Sequence, residues 1–206
     1  MSRSFALPVT PSAAPLDLSA LVGASGWSRL PAAVRRRFAA AHPDTVYDGD
    51  MALHCSPIGR VFAWLSRTVG SPLAALNAEG LATQVRVFGD GAGGVAWERH
   101  FGGRHLVRST KALGPDGRLL ERTDGGLGMD LDVFESGGSL VFESRRFFLL
   151  VGPRRWRLPV PALFTPGTCR VTHTDLGEGR FRFTLDMTHP LWGRTFHQTG
   201  VFSDPA

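Results

Sequence analysis

Between about Leu81 and Phe202 the chain is a near-continuous series of short alternating segments, each broken by a glycine-rich turn. Residues 85–88, 95–101, 106–110, 119–123, 127–134, 140–151, 169–174, 181–187 and 195–202 all read as strands. The breaks carry turn chemistry: Gly89-Asp90-Gly91, Gly102-Gly103, Pro115-Asp116-Gly117, Gly125-Gly126, Gly137-Gly138 and Gly177-Glu178-Gly179. Strands at this spacing, joined by tight turns, make an antiparallel meander that closes as a barrel or stacks as a sandwich. Alternation assigns faces. Val95, Trp97, Arg99 and Phe101 share one side of their strand; Leu127, Met129, Leu131 and Val133 share another, and so do Phe181, Phe183 and Leu185.

Two helices precede the meander. Residues 1–27 are rich in Ser, Pro and Ala and read as a flexible arm with one short helical turn at 17–22, and residues 28–206 read as a single domain. A helix is predicted over 31–41, where Leu30, Val34 and Phe38 recur at helical spacing and Arg35, Arg36 and Arg37 fall on a solvated face. Pro31 suits its first turn and His42-Pro43 stops it. Residues 47–55 read as a linking loop with at most one extended segment. A second helix over 57–69 gathers Ile58, Val61, Phe62, Leu65 and Val69 into one stripe with Trp64 at its edge, and Gly70-Ser71-Pro72 ends it. It packs on the sheet or plugs one end of a barrel.

The long apolar stretch 140–151 either crosses the middle of the sheet or bends at Ser144-Arg145-Arg146. Pro159, Pro161 and Pro166 preclude a central strand, so 159–166 reads as a loop or cap anchored by Val160, Leu163 and Phe164. The predicted fold is mainly β with two N-terminal helices. Its meander of about 8–10 strands is closed or strongly bent, as a lipocalin-like or calycin-like β-barrel.

A net charge of +5 and a pI near 10.4 would suit a nucleic-acid binder. However, Lys111 is the only lysine, and the arginines are spread along the whole chain rather than gathered among stacking aromatics. No nucleic-acid partner is expected. No apolar run approaches the about 18 residues of a membrane span, and residues 1–26 lack the pattern of a secretory signal. Cys55 and Cys169 are far apart, form no metal-type spacing and read as buried free thiols, which points to the cytoplasm.

Several short motifs together resemble a known family. They are Leu30-Pro31 leading the first helix, Trp97-Glu98-Arg99-His100-Phe101-Gly102-Gly103, Leu158-Pro159-Val160-Pro161, Phe181-Arg182-Phe183, His189-Pro190-Leu191-Trp192-Gly193 and Gly200. Over roughly residues 30–202 the chain resembles the domain-of-unknown-function family numbered 4166. The resemblance implies a domain often fused behind a short-chain or saccharopine-dehydrogenase-like oxidoreductase, here without that half. No strand–GxGxxG–helix unit is present, so NAD(P) chemistry is not inherited. The family brings no agreed catalytic residues.

The seven histidines, His42, His54, His100, His105, His173, His189 and His197, show no zincin spacing, though folding could gather His105, His173 and His197. No GxSxG elbow or Cys/His motif appears, and neither metal nor cofactor is expected. Glu121, Asp130, Glu143, Asp175 and Asp186 are acid–base candidates if any turns into an apolar interior, where its pKa would rise. Arg99, among aromatics, either stacks at a rim or points into a cavity.

The function expected is binding of an apolar small molecule, a lipid or polyketide-like metabolite of bacterial-type biosynthesis, inside the barrel. The expected anchors are Trp97, Arg99, Arg108, His173 and His197. Two alternatives share the fold. One is an enzyme, a cyclase or isomerase using a buried His or carboxylate; the other is a non-catalytic partner domain of a separate oxidoreductase.

Overall fold

The computed structural model describes residues 15–39, 44–67, 73–152 and 155–205. Four helices and eleven strands are described: α1 Leu18–Val22, α2 Ala24–Arg29, α3 Ala32–Arg37, β1 Thr45–Cys55, α4 Pro57–Ser66, β2 Ala78–Gly89, β3 Val95–Phe101, β4 His105–Leu113, β5 Leu119–Arg122, β6 Leu127–Ser136, β7 Ser139–Val151, β8 Trp156–Val160, β9 Thr168–Gly177, β10 Arg180–His189 and β11 Gly193–Ser203. The strands form one antiparallel sheet in the order β6-β5-β4-β3-β2-β1-β11-β10-β9-β7-β8, and β6 also pairs with β7. That last pairing closes ten strands into a barrel and leaves β8 outside the ring.

The nine expected strands are all present. Two more appear. β1 falls where a linking loop was read, and it supplies the closure with β11, from Asp48 opposite Ser203 to Cys55 opposite Phe196. Its Gly49 is required by proximity: a Cβ there would stand 2.2 Å from the Val201 carbonyl oxygen. β8 runs through Pro159 but pairs only with β7. It is an edge strand, where proline's missing N–H is tolerated.

β7 does bend where Ser144-Arg145-Arg146 foretold. Asp130 faces Arg146 while its neighbour Leu131 faces Ser144, so Arg145 is the extra residue of a β-bulge. The bulge switches parity. Before it Phe142 packs in the barrel core; after it Phe147 and Leu149 are the inward residues, lining a cavity. It also divides β7's second edge, residues 140–143 pairing with β9 and 147–151 with β8.

The helices close the two ends. At the end where β1 starts, Leu30, Val34 and Phe38 are all but fully buried, as their spacing required. Residues 40–43 lie outside the described residues, as do 68–72, which hold the expected stops of both helices. The described part of the N-terminal arm is docked rather than free: Asp17 caps α1, and Leu16 and Leu18 are each 2% exposed in the core. Arg37 was expected in solvent. Instead its side chain is buried over the Phe181 ring and bonds Asp204 through Nε and Nη2 at 2.5 and 2.8 Å, with Asp175 at 3.1 Å.

At the opposite end, Ser56 caps α4 and Pro57 occupies its first turn. This helix is rotated from the expected stripe. Gly59, Phe62 and Ala63 are buried, whereas Val61, Trp64 and Leu65 are exposed. Gly59 sets the rotation, because a Cβ on it would lie 2.4 Å from the Thr195 carbonyl oxygen of β11. No helix among the described residues is long and apolar enough to cross a membrane.

Candidate functional site

Alternation along β3 turns Trp97 and Arg99 into the barrel beside α3. Ladder pairing then fixes their neighbours, with Ser109 opposite Trp97, Glu121 opposite Lys111, and His173 opposite both Leu140 and Phe183. The result is a charged cluster inside an aromatic cage. Lys111 Nζ lies 3.0 Å from Glu121, 5.0 Å from the Trp97 ring centroid and 5.4 Å from that of Phe142. Ser109 Oγ donates to Glu121 at 2.5 Å and accepts from Arg99 Nη1 at 3.4 Å. The Arg99 guanidinium sits 6.0 Å from the centroids of both Trp97 and Phe183.

Two cavities adjoin this cluster. A small one, about 30 Å³, is apolar on most sides and lined at its polar points by Arg37, Arg99 and His173. It has room for one or two waters. A larger one, about 200 Å³, lies toward α4 and is lined by Phe62, Leu65, Met129, Phe147, Leu149 and Phe164 around Ser109 and Glu121. Its wall is low because β5 spans four residues and pairs with only the last four of β4. Leu65 and Phe164, both more than half exposed, stand at its mouth.

Electrostatics set the protonation states. Burial alone would raise the pKa of Glu121, but the Lys111 and Arg99 charges and the Ser109 hydroxyl hold it below the usual carboxylate range. Burial, reinforced by Lys111, Arg99 and Arg37, drives His173 down to about 3, so its imidazole is neutral near pH 7. Burial and Glu121 push the Cys169 thiol up to about 12, which leaves no thiolate nucleophile. Trp97 Nε1 and His173 Nδ1 are buried without hydrogen-bond partners among the described residues. Unmet groups of this kind concentrate where a protein is not arranged for stability alone.

Of the five expected anchors, the structure brings Trp97, Arg99 and His173 together around the small cavity. Arg108 and His197 point outward, on the opposite parity of their strands. Arg108 lies 3.7 Å from Glu98 and over the Phe88 ring, and His197 Nδ1 is 2.8 Å from Asp186. The histidine trio is not gathered, and no group of three or more metal-binding side chains occurs among the described residues. Among the carboxylates, Asp130, Glu143 and Asp186 pair with Arg157, Arg170 and Arg194, and Asp175 holds Arg37 at the rim. Only Glu121 of the five reaches the larger cavity. Sequence reasoning missed Lys111. The available signal was that the chain's one lysine falls in register with Glu121 across the hairpin through Gly114-Pro115-Asp116-Gly117.

Comparison with curated proteins finds no match, and comparison with solved structures finds none either. The model of one family, Domain of unknown function (DUF4166), matches residues 30–202, which span the docked helix α3, the whole barrel and both cavities. The chain belongs to that family.

Proposed function

We propose that the protein binds an apolar small molecule, of lipid or polyketide-like character, in the larger barrel cavity. One observation carries this reading: about 200 Å³ of space bounded by Phe62, Met129, Phe147, Leu149 and Phe164, with Ser66, Ser109, Glu121, Arg122, Thr123 and Thr165 as the polar residues of its lining. A well-packed core leaves few voids larger than a water, whereas ligand cavities are apolar with a few placed polar groups. The state of the buried groups favours carriage over catalysis. Glu121 is ionised and held by both Lys111 and Ser109, and neutral His173 has too low a pKa to take a proton near pH 7.

The test is native mass spectrometry of the purified protein with organic extraction, alongside titration with the neutral probe Nile red. A co-purifying apolar molecule near one per chain, or saturable probe binding weakened about tenfold or more by Met129→Trp, supports the reading. An empty protein that ignores the probe sinks it and shifts weight to a domain that docks on an oxidoreductase.

A further inference from the structure

Among the described residues, Arg99 is the most poorly matched charge in the barrel interior. Its guanidinium makes one long hydrogen bond, to Ser109, and no ion pair among the described residues. Lys111, by contrast, is paired with Glu121, and Arg37 at the cavity's outer end is held by Asp175 and Asp204. Taking the innermost groups together, Arg99 and Lys111 stand against Glu121 alone, with His173 and Cys169 neutral. Because Asp175 and Asp204 are both bonded to Arg37 at the outer end, one positive charge among these innermost groups has no carboxylate of its own. Holding a cation there without a partner is costly, and a guanidinium presents five donors in a planar fork. Arg99 is among the residues that line the small cavity.

One hydrogen bond separates the two cavities at this side chain. Arg99 lines the small one; Ser109, which accepts from Arg99, lines the larger one. A chamber of about 30 Å³ lined by the carboxylate-free Arg99 therefore lies one hydrogen bond from an apolar chamber of about 200 Å³. We infer that the ligand is a monoanionic amphiphile, an apolar chain ending in a carboxylate, with its tail in the larger cavity and its carboxylate on Arg99. The inference rests on the container reading and names the head group. A planar carboxylate matches the guanidinium fork and its single charge matches the surplus. A tetrahedral dianion would exceed both the space and the charge.

The experiment is competition against bound Nile red by dodecanoate, dodecanol and dodecylamine, on the wild type and on Arg99→Met. A charge-assisted hydrogen bond in a buried site implies that dodecanoate binds about tenfold or more tighter than dodecanol, and that the difference disappears in Arg99→Met. Equal binding of acid and alcohol, or a preference that survives Arg99→Met, overturns the carboxylate assignment while leaving the container standing. If none of the three competes and Nile red itself does not bind, the container reading falls and the assignment with it. The wild-type comparison of acid with alcohol tests the preference for a carboxylate without the variant, and the variant tests its assignment to Arg99. Arg99→Met also carries its own control: removing the surplus charge leaves the Lys111–Glu121 pair balanced, so the ligand-free variant melts at or above the wild-type temperature. A fall in melting temperature together with unchanged dodecanoate binding would mark Arg99 as structural.

Discussion

The two ends of the barrel are closed in opposite ways. At the α3 end, Phe38 is buried to 3% exposure and meets Trp97, Phe142 and His173 at centroid distances of 5.9, 6.0 and 4.8 Å, with fixed charges packed beside them. At the α4 end only one face of the helix is buried, and Leu65 and Phe164 remain more than half exposed at the mouth of a roomy apolar space. Tight packing fixes side chains in single positions, as recognition of a head group requires. Loose packing with a short wall admits a chain. The difference starts with strand length: β5 is four residues long against the nine of its neighbour β4, so the sheet cannot cover the larger cavity by itself.

This contrast can be broken most directly at Phe38. Phe38→Ala should cost about 3–5 kcal/mol in chemical denaturation, because the cavity it leaves lies in a packed region. A cost below about 1 kcal/mol would mean that the α3 end is as loose as the other. Next comes the buried pair. Glu121→Leu leaves Lys111 and Arg99 unopposed and should cost about 3 kcal/mol or more, with most of that recovered when Lys111→Met is added. If the double variant is no better than the single, the pair is not acting as a unit.

The pH dependence follows from His173. Its folded pKa of about 3 lies below the ordinary 6.5, so the unfolded chain binds the proton first as pH falls. Stability from this group is fully present above pH 6.5 and is lost as pH falls toward 3, by up to about 1.4 kcal/mol per pH unit. His173→Gln should flatten that slope in urea titrations at stepped pH, and an unchanged slope would place the acid sensitivity elsewhere. The smallest effect is expected at the other mouth. Phe164→Ser should shift stability by no more than about 0.5 kcal/mol while slowing Nile red uptake in stopped flow.

Where each side chain answers only to its own strand, the sequence was legible. The faces of β3, β6 and β10 followed from alternation, the Leu30–Val34–Phe38 seam from helical spacing, and the bend in β7 from a polar triplet in an apolar run. Where a distant element decides, it was not. Asp48, Gly49 and Asp50 lower the strand propensity of β1, yet Gly49 is there to let β11 approach. Gly59 similarly turns α4 away from its apparent stripe. At the site, Trp97, Arg99 and His173 could be nominated as aromatic or cationic residues on alternating strands. Which of Arg99, Arg108 and His197 face inward depends on the parity of each strand, and the Lys111–Glu121 pair depends on hairpin register.

The fork in β7 has a mechanical consequence. Ring closure at this point uses residues 140–143 against β9, while among the described residues β8 forms ladder pairs with residues 147–151 alone and is otherwise tied to the barrel by the Arg157–Asp130 ion pair to β6. Five residue pairs can therefore unzip without opening the hoop. β8 ends at Val160, which lines the larger cavity two residues before the turn that carries Phe164. The same wall thus serves as a sealed cylinder for the charged cluster and as a door hung on one jamb for the apolar chamber. Amides of β8 should exchange with solvent well ahead of those at residues 140–143.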